Sequence, residues 1–97
     1  MSMVVSLAMR ERKRIMAMID EYNIILESLP KGTLICKKSY MYLQYRVGKK
    51  IVSDYVGKDP EKIENIIEKL ERRKHIEQMV VFLHNELALT EKITEGF

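Results

Sequence analysis

The feature that most constrains the fold is a strand-like segment, Thr33 to Val56, between two long segments with helical periodicity. Pro30 and Gly32 mark its first border, and Pro60 marks the second. Proline cannot continue a helix interior, whereas the β-branched and aromatic residues of the central segment favour the pleated surface of a sheet. The chain is therefore predicted to be one α+β domain over residues 1–97, in the order long helix, sheet, long helix.

The first helix is predicted over about residues 5–29. Its apolar residues recur at intervals of three and four, as at Ile15, Ile19 and Tyr22. This spacing places them on one face of an α-helix. Pro30 ends the pattern, and Gly32 allows the chain to turn away.

The second helix is predicted over about residues 60–92, and its start has clear signals. Asp59 suits the N-cap, Pro60 suits the first helical position, and Glu61 lies at the positive end of the helix dipole. Two helices of this length predict a helical hairpin with coiled-coil-like packing.

The C-terminal half of the second helix is apolar over too wide an arc for one neighbouring helix. A second copy of the chain would cover the remaining apolar surface, so we expect a homo-oligomer, with a dimer favoured. The residues predicted to form this interface are Met79, Val80, Phe82, Leu83 and Leu87.

The central segment is predicted to be a three-stranded antiparallel meander within residues 32–57. Its strands would cover residues 33–37, 40–47 and 51–56. Gly48-Lys49 suits a two-residue type II′ turn, because glycine tolerates the first central position. That turn would pair Val47 with Lys50 and place Tyr42 opposite Tyr55.

Charge is concentrated in this sheet. Residues 31–58 carry seven Lys or Arg against one acid, Asp54, although the whole chain has a net charge of only +3. Cations neutralise phosphates, and tyrosines stack on bases, so this pattern predicts binding of DNA or RNA. The candidate binding residues are Lys37, Lys38, Tyr40, Tyr42, Gln44, Arg46, Lys49, Lys50, Tyr55 and Lys58.

A structural role explains the same residues. The tyrosines would brace the sheet through cross-strand packing, and the lysines would protect its exposed edges. The protein would then be a non-enzymatic scaffold that associates with itself or with a protein partner through its helices. Both interpretations remain open at this point.

Several segments carry a resemblance to short, functionally uncharacterised prokaryotic proteins. They are Leu29 to Leu34, Tyr40 to Arg46, Gly48 to Lys50 and Ser53 to Lys58. Similar strand-turn-strand segments also look like parts of transposases and of the arm-binding modules of integrases. The resemblance to those modules implies a three-stranded sheet that reads DNA.

The sequence indicates neither catalysis nor a bound cofactor. No glycine-rich phosphate loop or serine nucleophile motif occurs, and His75 and His84 would lie on opposite faces of one helix, which argues against a shared metal ion. No apolar run is long enough for a membrane span, and residues 3–9 do not resemble a signal peptide. The single Cys36, predicted to be a buried thiol, fits a cytoplasmic protein.

Overall fold

The computed structural model describes residues 3–95; residues 1–2 and 96–97 of the predicted domain lie outside that range. It contains two helices and three strands in the predicted α+β order. Their bounds are α1 Met3–Ser28, β1 Thr33–Lys37, β2 Tyr40–Val47, β3 Lys50–Gly57 and α2 Pro60–Glu95.

The described residues form two compact units. One unit combines the chain up to Ser28 with the chain from His75 onwards, and the other is the continuous segment Leu29–Lys74. The first unit is therefore helical, and the second contains the whole sheet and the first part of α2.

The helical unit is held together by a small apolar core. Ile15 and Ile19 of α1 are buried in one cluster with Leu83 of α2. Arg12 forms an ion pair with Glu91 at 3.5 Å. Earlier residues of α1 thus meet later residues of α2, so these two segments run antiparallel. Apolar residues of the two helices therefore pack on each other within one chain.

The sheet is a meander with the strand order β1-β2-β3, and both neighbouring pairs are antiparallel. The predicted pairings of Val47 with Lys50 and of Tyr42 with Tyr55 are confirmed. Gly48 has a φ of 62°, whereas Lys49 has no positive φ, as a type II′ turn requires. The short turn therefore determines the register of β2 against β3.

The turn between β1 and β2 is formed by Lys38 and Ser39, which have φ values of 50° and 72°. Two successive positive φ values are typical of a type I′ hairpin turn, where Asn and Gly are preferred. Neither residue is of the preferred type, so this turn carries backbone strain.

The start of α2 agrees with its predicted capping. The backbone N–H of Glu61 donates to the Asp59 carboxylate at 3.1 Å, and the N–H of Ile63 donates to the Asp59 carbonyl at 3.0 Å. Asp59 is thus the N-cap. The prediction of a buried Cys36 is wrong: the thiol is exposed on β1. An edge strand of a small sheet offers too few neighbours to cover every apolar position.

Candidate nucleic-acid interface

Strand pairing brings most of the predicted binding residues to one face of the sheet. Directly paired residues of antiparallel strands project to the same side, and successive residues alternate between sides. Tyr42 pairs with both Ile35 and Tyr55, and Tyr40 pairs with Lys37. We call this side the tyrosine face; its residues are Thr33, Ile35, Lys37, Tyr40, Tyr42, Gln44, Arg46, Ile51, Ser53 and Tyr55.

Three tyrosine rings form a cluster on the tyrosine face. The Tyr55 ring centre lies 5.6 Å from that of Tyr42, with an interplanar angle of 72°. It lies 5.9 Å from the ring centre of Tyr40, with an angle of 44°. Tyr55 is 61% exposed and Tyr40 is 39% exposed, while Tyr42 is half-buried. Tyr55 is therefore supported by two neighbouring rings and remains open to solvent.

Lys58 adds a cation to this cluster. Its ammonium lies 4.5 Å from the centre of the Tyr40 ring, within the range of a cation–π interaction. Lys58 directly follows Gly57, the last residue of β3. The end of β3 thus holds a positive charge beside the aromatic rings.

A β-bulge lies next to the cluster. Met41 pairs with Gly57, whereas Tyr42 pairs with Tyr55, so Val56 is the extra residue in β3. Val56 is buried, and Gly57 has a φ of 104°. A Cβ added to Gly57 would lie 3.6 Å from the Tyr55 ring. The ring would leave room for this Cβ, so it is the positive φ that favours glycine at this position.

The only acid of the sheet segment lies on the opposite side. Asp54 pairs with Leu43, which is buried on the face away from the tyrosine cluster. The phenol of Tyr45 donates a hydrogen bond to the Asp54 carboxylate, and this bond, with smaller contributions from desolvation and from the carboxylate charge, raises the pKa of Tyr45. Among residues 31–58, all of which the structure describes, the tyrosine face carries no carboxylate.

The remaining predicted cations have different positions. Lys38 and Lys49 are exposed in the two hairpin turns, at opposite ends of β2. Lys50 pairs with Val47 and belongs to the side opposite the tyrosine face. Ile51, which the sequence interpretation did not include, pairs with Arg46 and is exposed on the tyrosine face. The predicted register already implied its position, but an apolar residue gave no signal of binding.

In the basic cluster of α1, residues 10–14, two arginines interact with acids of the same unit. Arg12 pairs with Glu91, and Arg14 forms hydrogen bonds with Glu11. The hydrogen bonds from Arg14 lower the pKa of Glu11 and raise that of the arginine. Partial neutralisation makes this cluster a poorer site for phosphates than the tyrosine face.

The residues predicted to form an oligomer interface differ in their exposure to solvent. Leu83 is only 5% exposed because it packs on Ile15 and Ile19 of the same chain, and Leu87 packs against that cluster. Met79 and Val80 are partly buried. Phe82 is 55% exposed, so it is the most accessible member of the set.

The described residues contain no group of three or more His, Cys, Asp or Glu side chains that could hold a metal ion. Both His75 and His84 are exposed on α2. Among the described helices, none is both long and apolar enough to cross a membrane.

The chain matches a known protein family. A family model described as Domain of unknown function (DUF6788) matches residues 7–65, more than half of the chain. The matched part includes all three strands and therefore the entire tyrosine face. No curated protein and no solved structure matches the chain.

Proposed function

The chain belongs to the DUF6788 family, and we propose that it is a small, non-enzymatic nucleic-acid-binding module that uses the tyrosine face of its sheet. The observation that carries this proposal is the exposed tyrosine cluster on a basic sheet whose single acid, Asp54, lies on the other side. Phosphates would meet cations there without competing carboxylates.

Cations lie near both ends of β2. Lys37, Lys38 and Lys58 lie near the Tyr40 end of β2, and Arg46 and Lys49 lie near the other end. Phosphate contacts of this kind fix the position of a nucleic acid, while rings and polar side chains contact the bases. The resemblance to integrase arm-binding modules adds support for DNA as the ligand. The exposed single thiol suits a reducing compartment, so we propose a cytoplasmic location.

Salt-dependent binding is the test. Fluorescence anisotropy with labelled DNA and RNA should give an affinity that falls steeply with salt, with a log–log slope of about −0.7 to −0.9 per neutralised phosphate. Replacing Lys37, Arg46 and Lys49 together by alanine should make the slope shallower by about 2 to 3. An absence of binding to every DNA and RNA probe at low salt would refute the proposal.

A matched control separates local contacts from total charge. Lys13, Lys69 and Lys92 are exposed on the helices, and replacing all three by alanine removes the same charge. The control should retain most of the binding. Equal losses in the two triple variants would mean that net charge, and not the tyrosine face, drives the association.

Self-association is a second function, supported by a different observation. Phe82 and Leu89 are both exposed and lie seven residues apart on α2, as do Val81 and Ala88. A seven-residue apolar repeat is the pattern by which helices pair in coiled coils. An identical helix presents the same repeat, so a second copy of the chain is the partner that we propose for this surface.

Light scattering tests the second function. The wild-type mass should exceed the 11.5 kDa of one chain, and Phe82→Glu should reduce it while the helical circular dichroism signal persists. Ile24→Glu is the matched control, since Ile24 is 66% exposed on α1. A wild-type monomer, or an unchanged mass for Phe82→Glu, would exclude this interface.

A further inference from the structure

We infer that the tyrosine face selects single-stranded nucleic acid, with the Tyr55 ring as the surface on which an unpaired base stacks. This inference rests on the nucleic-acid-binding function proposed above and names its ligand class.

The first reason is the geometry of the cluster. Tyr55 contacts Tyr42 nearly edge to face and Tyr40 at an intermediate tilt, so two neighbours restrain its ring. Its exposed fraction of 61% leaves ring surface free for a ligand. Restraint by neighbours lowers the rotamer entropy that is lost on binding. The Tyr55 ring is therefore preorganised for stacking on a base.

The second reason is the accessibility of base faces. In a duplex, neighbouring base pairs cover these faces and leave only the base edges accessible in the grooves. Unpaired bases expose their faces, and proteins that bind single strands use aromatic rings as stacking surfaces. The exposed surface of the Tyr55 ring therefore matches the face of an unpaired base better than a duplex groove.

The third reason is the arrangement of charge along the strand. From Tyr40 to Arg46, β2 extends about 20 Å at a rise of about 3.3 Å per residue. Cations lie at both ends of this distance, with the rings concentrated at the end that contains Lys58. A short single strand laid along β2 would place phosphates at both ends and a base on Tyr55.

The inference is tested with three probes of equal phosphate number at low salt. They are a short oligothymidylate, a hairpin duplex, and an oligomer with the same backbone but no bases. Oligothymidylate should bind at least about fivefold more tightly than the abasic oligomer, since one base stacked on an aromatic ring contributes about 1–3 kcal/mol. It should also bind more tightly than the duplex.

Substitutions then assign the effect to one ring. Tyr55→Leu should lower the affinity for oligothymidylate about tenfold, leave the affinity for the abasic oligomer and the salt slope unchanged, and be rescued by Tyr55→Phe. The matched control is Tyr45→Leu, the same change on the opposite side of the sheet, which should preserve the preference for bases. The wild-type comparison of probes does not depend on the folding of any variant.

Three results would overturn the inference. Equal affinity for oligothymidylate and the abasic oligomer would indicate phosphate binding alone, and tighter binding of the duplex would indicate groove recognition. Both would leave the proposed nucleic-acid function standing. Absence of binding to all three probes would refute the proposed function together with this inference.

Discussion

Arg73 of α2 donates a hydrogen bond from Nη1 to the backbone carbonyl of Leu29 at 3.1 Å, across 44 residues of sequence. Leu29 directly follows the last residue of α1, where carbonyl groups lack a partner further along the helix. A charged donor from α2 thus satisfies a backbone acceptor at the start of the connection to β1.

Replacing Arg73 by alanine should lower the free energy of unfolding by about 1–3 kcal/mol, because a partly buried carbonyl loses a charged donor. Urea denaturation followed by circular dichroism measures the change. Arg72→Ala is the matched control, since Arg72 is exposed on the same helix, and its effect should stay within about 0.5 kcal/mol. Equal effects of the two substitutions would contradict the assigned role.

Ser39→Gly should stabilise the protein by about 1 kcal/mol. Ser39 has a φ of 72° in the turn between β1 and β2, and glycine adopts this conformation without the steric cost of a Cβ. The same substitution at Ser53, in the extended backbone of β3, should instead destabilise by about 0.5–1 kcal/mol. Thermal and urea unfolding of both variants checks the opposite signs; a destabilised Ser39→Gly would count against turn strain.

Two other glycines should differ in their tolerance of alanine. An added Cβ at Gly32, where φ is 118°, would overlap the Gln44 carbonyl oxygen and lie 2.9 Å from the Tyr45 Cβ. Gly32→Ala should therefore cost at least about 2 kcal/mol. Gly48 faces open space, so Gly48→Ala should cost only about 1 kcal/mol of backbone strain. Similar losses at both positions in urea denaturation would refute the close approach at Gly32.

Titration of Tyr45 should report its hydrogen bond to Asp54. The protonated phenol donates this bond, so the pKa of Tyr45 lies above the ordinary value of 10.0. The bond's contribution to stability is complete below pH 10.0 and declines as the pH rises through the raised pKa. In NMR of carbon-13-labelled tyrosine, Asp54→Ala should lower the pKa of Tyr45 towards 10.0. An unchanged value would contradict the bond.

Local signals in the sequence predicted much of the fold. The Gly48-Lys49 turn was sufficient to predict the pairing of Tyr42 with Tyr55, because a two-residue hairpin leaves a single register. Asp59 was likewise recognised as an N-cap from the residues that follow it. Both features depend on residues close together in the chain.

Features that depend on contacts between distant parts of the chain were harder to predict from the sequence. The bulge at Val56 exists because Met41 pairs with Gly57, and nothing in β3 alone reveals that shift. The apolar residues of α2 are a second example. Leu83 packs on Ile15, while the adjacent Phe82 remains exposed. A segment that is apolar on several sides does not reveal which side meets α1.

The division of the chain into two units has a consequence for the order of folding. The sheet unit, Leu29–Lys74, is one continuous segment whose strands are joined by two-residue turns, so its strand pairings are local in sequence. Local pairings involve little loop-closure entropy and form quickly. The helical unit needs residues from His75 onwards to meet α1. During synthesis on the ribosome, the tyrosine cluster can therefore assemble before the apolar core of Ile15, Ile19 and Leu83 exists.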